Sequence, residues 1–163
     1  MGGIPVPARS ARQTGQQAGR RPAIRVLVAE DVAVVRETVV ALLGLEPDIV
    51  VVAALASGDQ IVPAAVLHRP DVALLDIGLP GIDGLTAAAQ LAGQLPGCRV
   101  LILTGLQAPA SLEVALRAGV SGFLLKDGTA DDLISAVRAV ARGERVIDPR
   151  LAGTAPGREQ HNG

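Results

Sequence analysis

The chain has 163 residues, enough for one ordinary domain with tails and too few for two full domains. Apolar residues make up 49% of it, yet Phe123 is the only aromatic residue, so the core must be built from Val, Leu, Ile and Ala. The net charge of −1 is unevenly distributed: residues 23–148 carry nine basic and fifteen acidic side chains, a difference of −6, which argues against a nucleic-acid-binding domain.

The first segment, residues 1–22, carries four Arg and no acid and lacks apolar periodicity, which predicts a disordered leader. It contains no apolar stretch of signal-peptide length, and no run in the chain approaches membrane-spanning length. The lone Cys98 cannot form an internal disulfide. We therefore expect a cytoplasmic protein without a membrane segment.

From residue 24, short apolar runs alternate with segments of helical apolar spacing. The runs predict five strands, at 24–29, 48–55, 71–76, 99–104 and 122–126. The intervening segments predict helices at 31–45, 60–68, 84–95, 110–119 and 129–143. Parallel strands need crossover connections, so this alternation predicts a three-layer α/β/α sandwich with a five-stranded parallel sheet of the flavodoxin-like, CheY-like type.

The sequence also predicts how two of the helices begin and where the domain ends. Asp31 precedes the first helix and could cap it. Pro63 forbids one helical hydrogen bond, so the second helix should begin late or bend. Residues 23–145 form the predicted domain, and 146–163, rich in Pro, Gly and polar residues, are predicted as a linker or tail.

Charged and hydroxyl side chains stand at the ends of four of the predicted strands. They are Glu30 and Asp31 directly after the first, and Asp76, Thr104 and Lys126 as the last residues of the third, fourth and fifth. The functional crevice of a parallel sheet lies at the carboxyl ends of its strands, so these groups should meet at one edge. Clustered carboxylates repel one another unless a cation neutralises them, which favours a Mg²⁺ site.

Each acid alone would more often be a helix cap or a solvated loop residue. The combination is harder to explain in that way, because Lys126 is the only lysine among fifteen basic residues and ends a predicted buried strand. With Mg²⁺ and Lys126 withdrawing charge, an aspartate becomes a plausible nucleophile toward a phosphoryl group. For Phe123, the simpler interpretation is that its side chain fills the hydrophobic core.

Four motifs, AED, LLDIGLPGIDG, LTG and GFLLKD, resemble in order and spacing the receiver domains of two-component response regulators over about residues 24–143. The ending GERVIDPRLA is similar to the junction that precedes a LuxR-type helix-turn-helix domain in NarL/FixJ-type regulators. Two positions qualify the pattern. Glu30 stands where the family often has Asp, and Gly78 offers a metal only its backbone.

The resemblance implies that Asp76 is the phosphoacceptor, and that Asp31, Asp76 and the Gly78 carbonyl hold Mg²⁺ with help from Glu30 through water. Thr104 and Lys126 would contact the phosphoryl group. Thr104 would then move toward the phosphoryl oxygens and Phe123 would rotate inward. These two movements would change the surface formed by helix four, strand five and helix five.

The implied partners are a sensor histidine kinase and a second copy of the chain in a phosphorylation-dependent homodimer. Contact with DNA would come only through an output domain not present in this chain, so the function would be phosphorelay signalling that regulates transcription. The chain would be a phosphoacceptor with at most slow self-dephosphorylation, not an enzyme.

Other residues are given structural roles. Asp83 should cap the third helix, Cys98 should pack in the interior, and His68 and His161 lie away from the acids.

Three alternative functions can be weighed from the same residues. An aspartyl-phosphate phosphatase of the haloacid dehalogenase type needs a second Asp where Gly78 stands. A flavodoxin-like cofactor binder needs a Gly-rich or Ser/Thr-rich phosphate loop after strand one and a Trp or Tyr to stack on a flavin, and the sequence has neither. A receiver fold that has lost phosphorylation and serves only as an interaction module is disfavoured by the intact Asp76, Thr104 and Lys126.

Overall fold

The computed structural model describes residues 22–105 and 109–152, with the side chains of residues 109–111 and 152 left aside. The predicted leader, apart from residue 22, and the predicted tail beyond residue 152, with His161, lie outside the described residues. Within the described residues, no helix has the length and apolar character needed to cross a membrane.

Strands and helices alternate as predicted. The strands are β1 Ile24–Ala29, β2 Ile49–Leu55, β3 Val72–Asp76, β4 Arg99–Thr104, β5 Gly122–Leu125 and β6 Val146–Ile147. The helices are α1 Ala33–Gly44, α2 Ile61–His68, α3 Gly84–Gln94, α4 Pro109–Arg117, α5 Ala130–Ala141 and the short α6 Pro149–Ala152, with a 3₁₀ turn at Gly58–Gln60.

All strand pairs are parallel, in the order β2-β1-β3-β4-β5-β6. Alternate residues of each strand face opposite sides, so Val26 and Val28 join one hydrophobic cluster and Leu27 and Ala29 the other. The first cluster packs under α1 and α5, and the second under α2, α3 and α4. The predicted three-layer sandwich is confirmed, with a sixth strand of two residues at one edge.

The start of α1 differs from the prediction. The N-cap residue is Val32, without a side-chain cap, so Asp31 does not cap the helix. Its carboxylate instead lies near those of Glu30 and Asp76. Pro63 sits in the first turn of α2, where its missing N–H costs nothing because the first helical amides have no partner within the helix.

Residues 146–152, predicted as linker, contain β6 and α6. The Val146 amide donates to the Ser121 carbonyl at 3.0 Å, and the Asp148 amide donates to the Phe123 carbonyl at 2.9 Å. Leu151 is buried in the cluster that contains Phe123. The segment is too short, and its apolar residues too irregularly spaced, to give a periodic signal in the sequence, so its structure depends on the sheet edge beside it.

Arg138 of α5 binds the loop between α1 and β2. One of its guanidinium nitrogens, Nη2, lies 2.7 Å from Glu46 Oε1 and 2.9 Å from Asp48 Oδ1. The hydrogen bond from Arg138 lowers the pKa of Asp48 below its ordinary value. Because the folded-state pKa is depressed, the pair stabilises the fold above the unfolded pKa, near pH 4, and this contribution is lost as the pH falls through the folded pKa.

We expect Arg138→Gln to lower the melting temperature by a few degrees at pH 7, because it leaves two carboxylates without their cation. The difference from the parent chain should shrink at pH 3, where the carboxylates begin to protonate. Thermal denaturation of both chains at the two pH values measures this. A difference that is as large at pH 3 as at pH 7 would contradict the ion-pair explanation.

Candidate functional site

The carboxyl ends of β1, β3 and β5 bring three charged side chains into contact. Lys126 Nζ lies 2.9 Å from Glu30 Oε1 and 3.1 Å from Asp76 Oδ1. Glu30 and Asp76 are buried, with 3% and 8% of their surfaces exposed. The Lys126 side chain is 30% exposed, so its ammonium reaches the acids from the rim of the site. The predicted convergence of these groups is thus observed in the fold.

The position of Glu30 is fixed by its backbone and by one carboxylate oxygen. Its Oε2 accepts from the Val32 amide at 2.9 Å, and its carbonyl oxygen accepts from Arg36 Nη1 at 2.7 Å. Its buried Oε1 is paired with the Lys126 ammonium at 2.9 Å and meets no other donor among the described residues. Arg36 was not singled out from the sequence, since helix α1 offers no pattern that points to a bond with Glu30.

Lys126 stays protonated in this site. Burial disfavours its charge, but the hydrogen bonds and charges of Glu30 and Asp76 outweigh burial and raise the pKa of Lys126 above its ordinary value. The ammonium is therefore available as a cation over the whole physiological range. One ammonium against three carboxylates still leaves the site with an excess of negative charge.

The three acids form a cluster that fits a hard divalent cation. One carboxylate oxygen each of Glu30, Asp31 and Asp76 lies within 4.8 Å of the others. Asp31 is exposed while the other two are buried, so the cluster opens to solvent on one side. Three clustered oxygen ligands and an excess of negative charge are the features that a Mg²⁺ ion would satisfy.

Thr104 ends β4, next to the strand that carries Asp76, and Phe123 lies within β5, three residues before Lys126. Thr104 is buried, and its carbonyl oxygen accepts from the Lys126 amide at 2.7 Å. It pairs in register with Leu125, the residue before Lys126, so the ends of β4 and β5 are joined at this point. Phe123 is fully buried in the cluster under α2, α3 and α4. Its predicted rotation stays a prediction, since the structure shows one position, already inside the core.

The loop that follows Asp76 is shaped by close backbone approaches. A Cβ atom at Gly84 would lie 2.1 Å from the Asp76 carbonyl oxygen, and one at Gly58 would lie 1.5 Å from the Ile82 carbonyl oxygen. The Gly58 amide donates to the Pro80 carbonyl at 2.9 Å. The sequence shows glycine here, but only the fold shows what the missing side chains make room for.

Three minor predictions about single residues agree with the structure. Asp83 caps α3, its Oδ1 accepting from the Thr86 amide at 2.7 Å. Cys98 is buried, and burial together with the nearby Asp71 raises the pKa of its thiol to about 11, so it is an unreactive packing residue. His68 lies at the end of α2, and Gly78, exposed with open space around its Cα, lies in the loop two residues after Asp76.

Comparison with known proteins agrees with this geometry. Residues 26–138 match the family model of the response regulator receiver domain. The chain is 38% identical over 128 residues to the transcriptional regulatory protein DesR of Bacillus subtilis, which covers 78% of this chain and 63% of DesR. It is 38% identical over 134 residues to the probable transcriptional regulatory protein NarL of Mycobacterium tuberculosis, and the match covers 82% of this chain and 62% of that protein.

The same relationship is seen among solved structures. The signal receiver domain of NarL from Mycobacterium tuberculosis superposes with a TM-score of 0.73 at 37% identity, covering 76% of this chain and 100% of that domain. The match covers less than two thirds of the length of DesR and of the Mycobacterium tuberculosis NarL protein.

Proposed function

Since this chain belongs to the family of response regulator receiver domains, we propose that Asp76 accepts a phosphoryl group from a sensor histidine kinase. The observation that carries the proposal is the contact of the buried Asp76 with Lys126 at 3.1 Å, at an edge that also holds Glu30, Asp31 and Thr104. A buried aspartate with a cation beside it can attack phosphorus and have the charge of the product neutralised.

The transfer requires one bond to form and one to break. A carboxylate oxygen of Asp76 attacks the phosphorus of a phosphohistidine, the P–N bond breaks, and the electron pair returns to the imidazole, which takes up a proton. Lys126 then donates to the new phosphoryl oxygens in place of Asp76 and Glu30, and the Thr104 hydroxyl donates to another. The chemistry depends on positioning and charge neutralisation, which a rigid strand edge supplies.

The acids that would hold Mg²⁺ are Asp31 and Asp76, with the Gly78 carbonyl as a third ligand and Glu30 acting through water. When bound, Mg²⁺ would neutralise charge on the phosphoryl oxygens as they approach the carboxylates. Asp31, which is exposed and does not cap α1, has its carboxylate available for this role.

We expect Mg²⁺ to raise the melting temperature of the chain, because an ion that binds only the folded state stabilises it, by about 2.7 kcal/mol at one hundred times its dissociation constant. Asp31→Ala should abolish most of this gain, since it removes one of the ligands. Glu37→Ala, at an exposed position on α1, is the control and should keep the gain. A gain retained in full by Asp31→Ala would contradict the assignment of this ligand.

The wider function follows from the same family. DesR is named a transcriptional regulatory protein and NarL a probable one, and we propose that phosphorylation of this chain regulates transcription through an output domain. Phosphorylation of Asp76 would change the surface formed by α4, β5 and α5, and this change would strengthen a homodimer. The chain would act in the cytoplasm as a phosphoacceptor and signal transducer, with at most slow self-dephosphorylation.

The test is intact-mass spectrometry after incubation with Mg²⁺ and acetyl phosphate, a small phosphodonor. A gain of one phosphoryl group supports a receiver. No gain, under conditions that label a control receiver, would favour the phosphate-independent interaction module instead.

A further inference from the structure

The C-terminal segment, residues 146–152, is joined to the candidate site through β5. Its two strand residues extend the sheet beside β5, with Ile147 in register with Phe123. Its backbone donates to the carbonyls of Ser121 and Phe123. Leu151 is buried in the same cluster as Phe123, and Ile147 packs against that cluster. Docking of this segment therefore depends on the position of β5.

Arg150 adds an electrostatic connection to the loop that carries Lys126. Its Nη2 lies 3.0 Å from Asp127 Oδ1 and 3.1 Å from Asp148 Oδ2. Asp127 follows Lys126 directly in the chain, and Lys126 contacts Asp76. A continuous series of contacts thus runs from Asp76 through Lys126 and Asp127 to Arg150.

We propose that the C-terminal segment is a latch whose docking on β5 is weakened when a phosphoryl group occupies Asp76, with the Asp127–Arg150 ion pair carrying the coupling. The proposal rests on the proposed function of Asp76.

The coupling has a physical cause at Lys126. A phosphoryl group attracts the Lys126 ammonium away from Glu30, and the hydrogen bond of the Lys126 amide to the Thr104 carbonyl makes the end of β5 follow the end of β4. Asp127 then shifts relative to Arg150, and the ion pair is strained or lost. The pair is exposed on both sides, so the effect is modest, at the low end of ordinary coupling between sites.

Hydrogen exchange of the full chain tests the latch directly. The amides of Val146 and Asp148, which donate to β5, exchange only when the segment opens. With Mg²⁺ and beryllium fluoride, a phosphoryl mimic, we expect their exchange to become about fivefold faster. Exchange that is unchanged or slower would overturn the proposal.

Two arginine variants show whether the ion pair carries the coupling. Arg150→Gln should speed exchange of these amides without the mimic and remove most of the response to it. Arg142→Gln is the matched control, because Arg142 pairs with Glu144 at 2.8 Å and with neither Asp127 nor Asp148. It should keep the response of the parent chain. A response of Arg150→Gln equal to that of the parent chain would overturn the proposed route.

Failure of the latch and failure of the proposed function give different results. Intact mass after acetyl phosphate treatment is measured on separate portions of the same protein preparations, without beryllium fluoride. A labelled chain with unchanged exchange at Val146 and Asp148 refutes the latch alone. A chain that is never labelled refutes the proposed function and the latch with it.

Discussion

Asp76→Asn is expected to gain no phosphoryl group from acetyl phosphate, while the parent chain gains one. The substitution keeps the shape of the side chain but replaces an anionic oxygen with a neutral amide, a far weaker nucleophile. The fold should survive, because the variant removes one of three mutually repelling carboxylates. Intact-mass spectrometry measures the labelling, and circular dichroism with thermal denaturation measures the fold.

Asp83→Asn is the matched control for this prediction. It makes the same chemical change seven residues further along the chain, at an exposed position where Asp83 caps α3. Asn caps a helix about as well as Asp, so neither the fold nor the labelling should change. Labelling that persists in Asp76→Asn would contradict the assignment of the phosphoacceptor. Labelling lost in both variants would show that the loop, not the nucleophile, had been damaged.

The general position of the site could be predicted from the sequence. Residues at the carboxyl ends of parallel strands meet at one edge, so Glu30, Asp76 and Lys126 were expected together and are found in contact. The family suggested by the four motifs is confirmed by the match over residues 26–138. The roles given to Thr104, Phe123 and Gly78 stay predictions, because they concern events that follow phosphorylation or metal binding.

Contacts between residues distant in sequence could not be predicted. Arg138 contacts a loop ninety residues earlier, and nothing in either segment indicates the other. The capping role expected for Asp31 was wrong because local sequence shows a capable side chain but not the acidic cluster that it joins instead. The structure of residues 146–152 likewise depends on a distant segment, because their amides donate to the carbonyls of Ser121 and Phe123 in and just before β5.

Gly84→Ala is expected to lower the free energy of unfolding by about 2–3 kcal/mol. Helix propensity alone predicts the opposite sign, since Ala is favoured over Gly by about 1 kcal/mol in a helix and Gly84 is the first residue of α3. The steric effect should win, because the new Cβ would lie 2.1 Å from the Asp76 carbonyl oxygen and 3.1 Å from Ile77 Cα. Both are backbone atoms, which cannot rotate away as a flexible side chain could.

The same clash should slow phosphorylation. To admit the Cβ, the backbone of Asp76 or the start of α3 must shift, and a displacement of about 1 Å at a reacting group can cost about 100-fold in rate. Gly93→Ala, in the same helix, is the control, because a Cβ there meets nothing within 4 Å and Gly93 does not have a positive φ. Denaturant unfolding and the rate of labelling by acetyl phosphate measure the two effects. If Gly84→Ala matched Gly93→Ala in both, the backbone contact between α3 and Asp76 would not constrain the site, and the position of the nucleophile would be fixed by β3 alone.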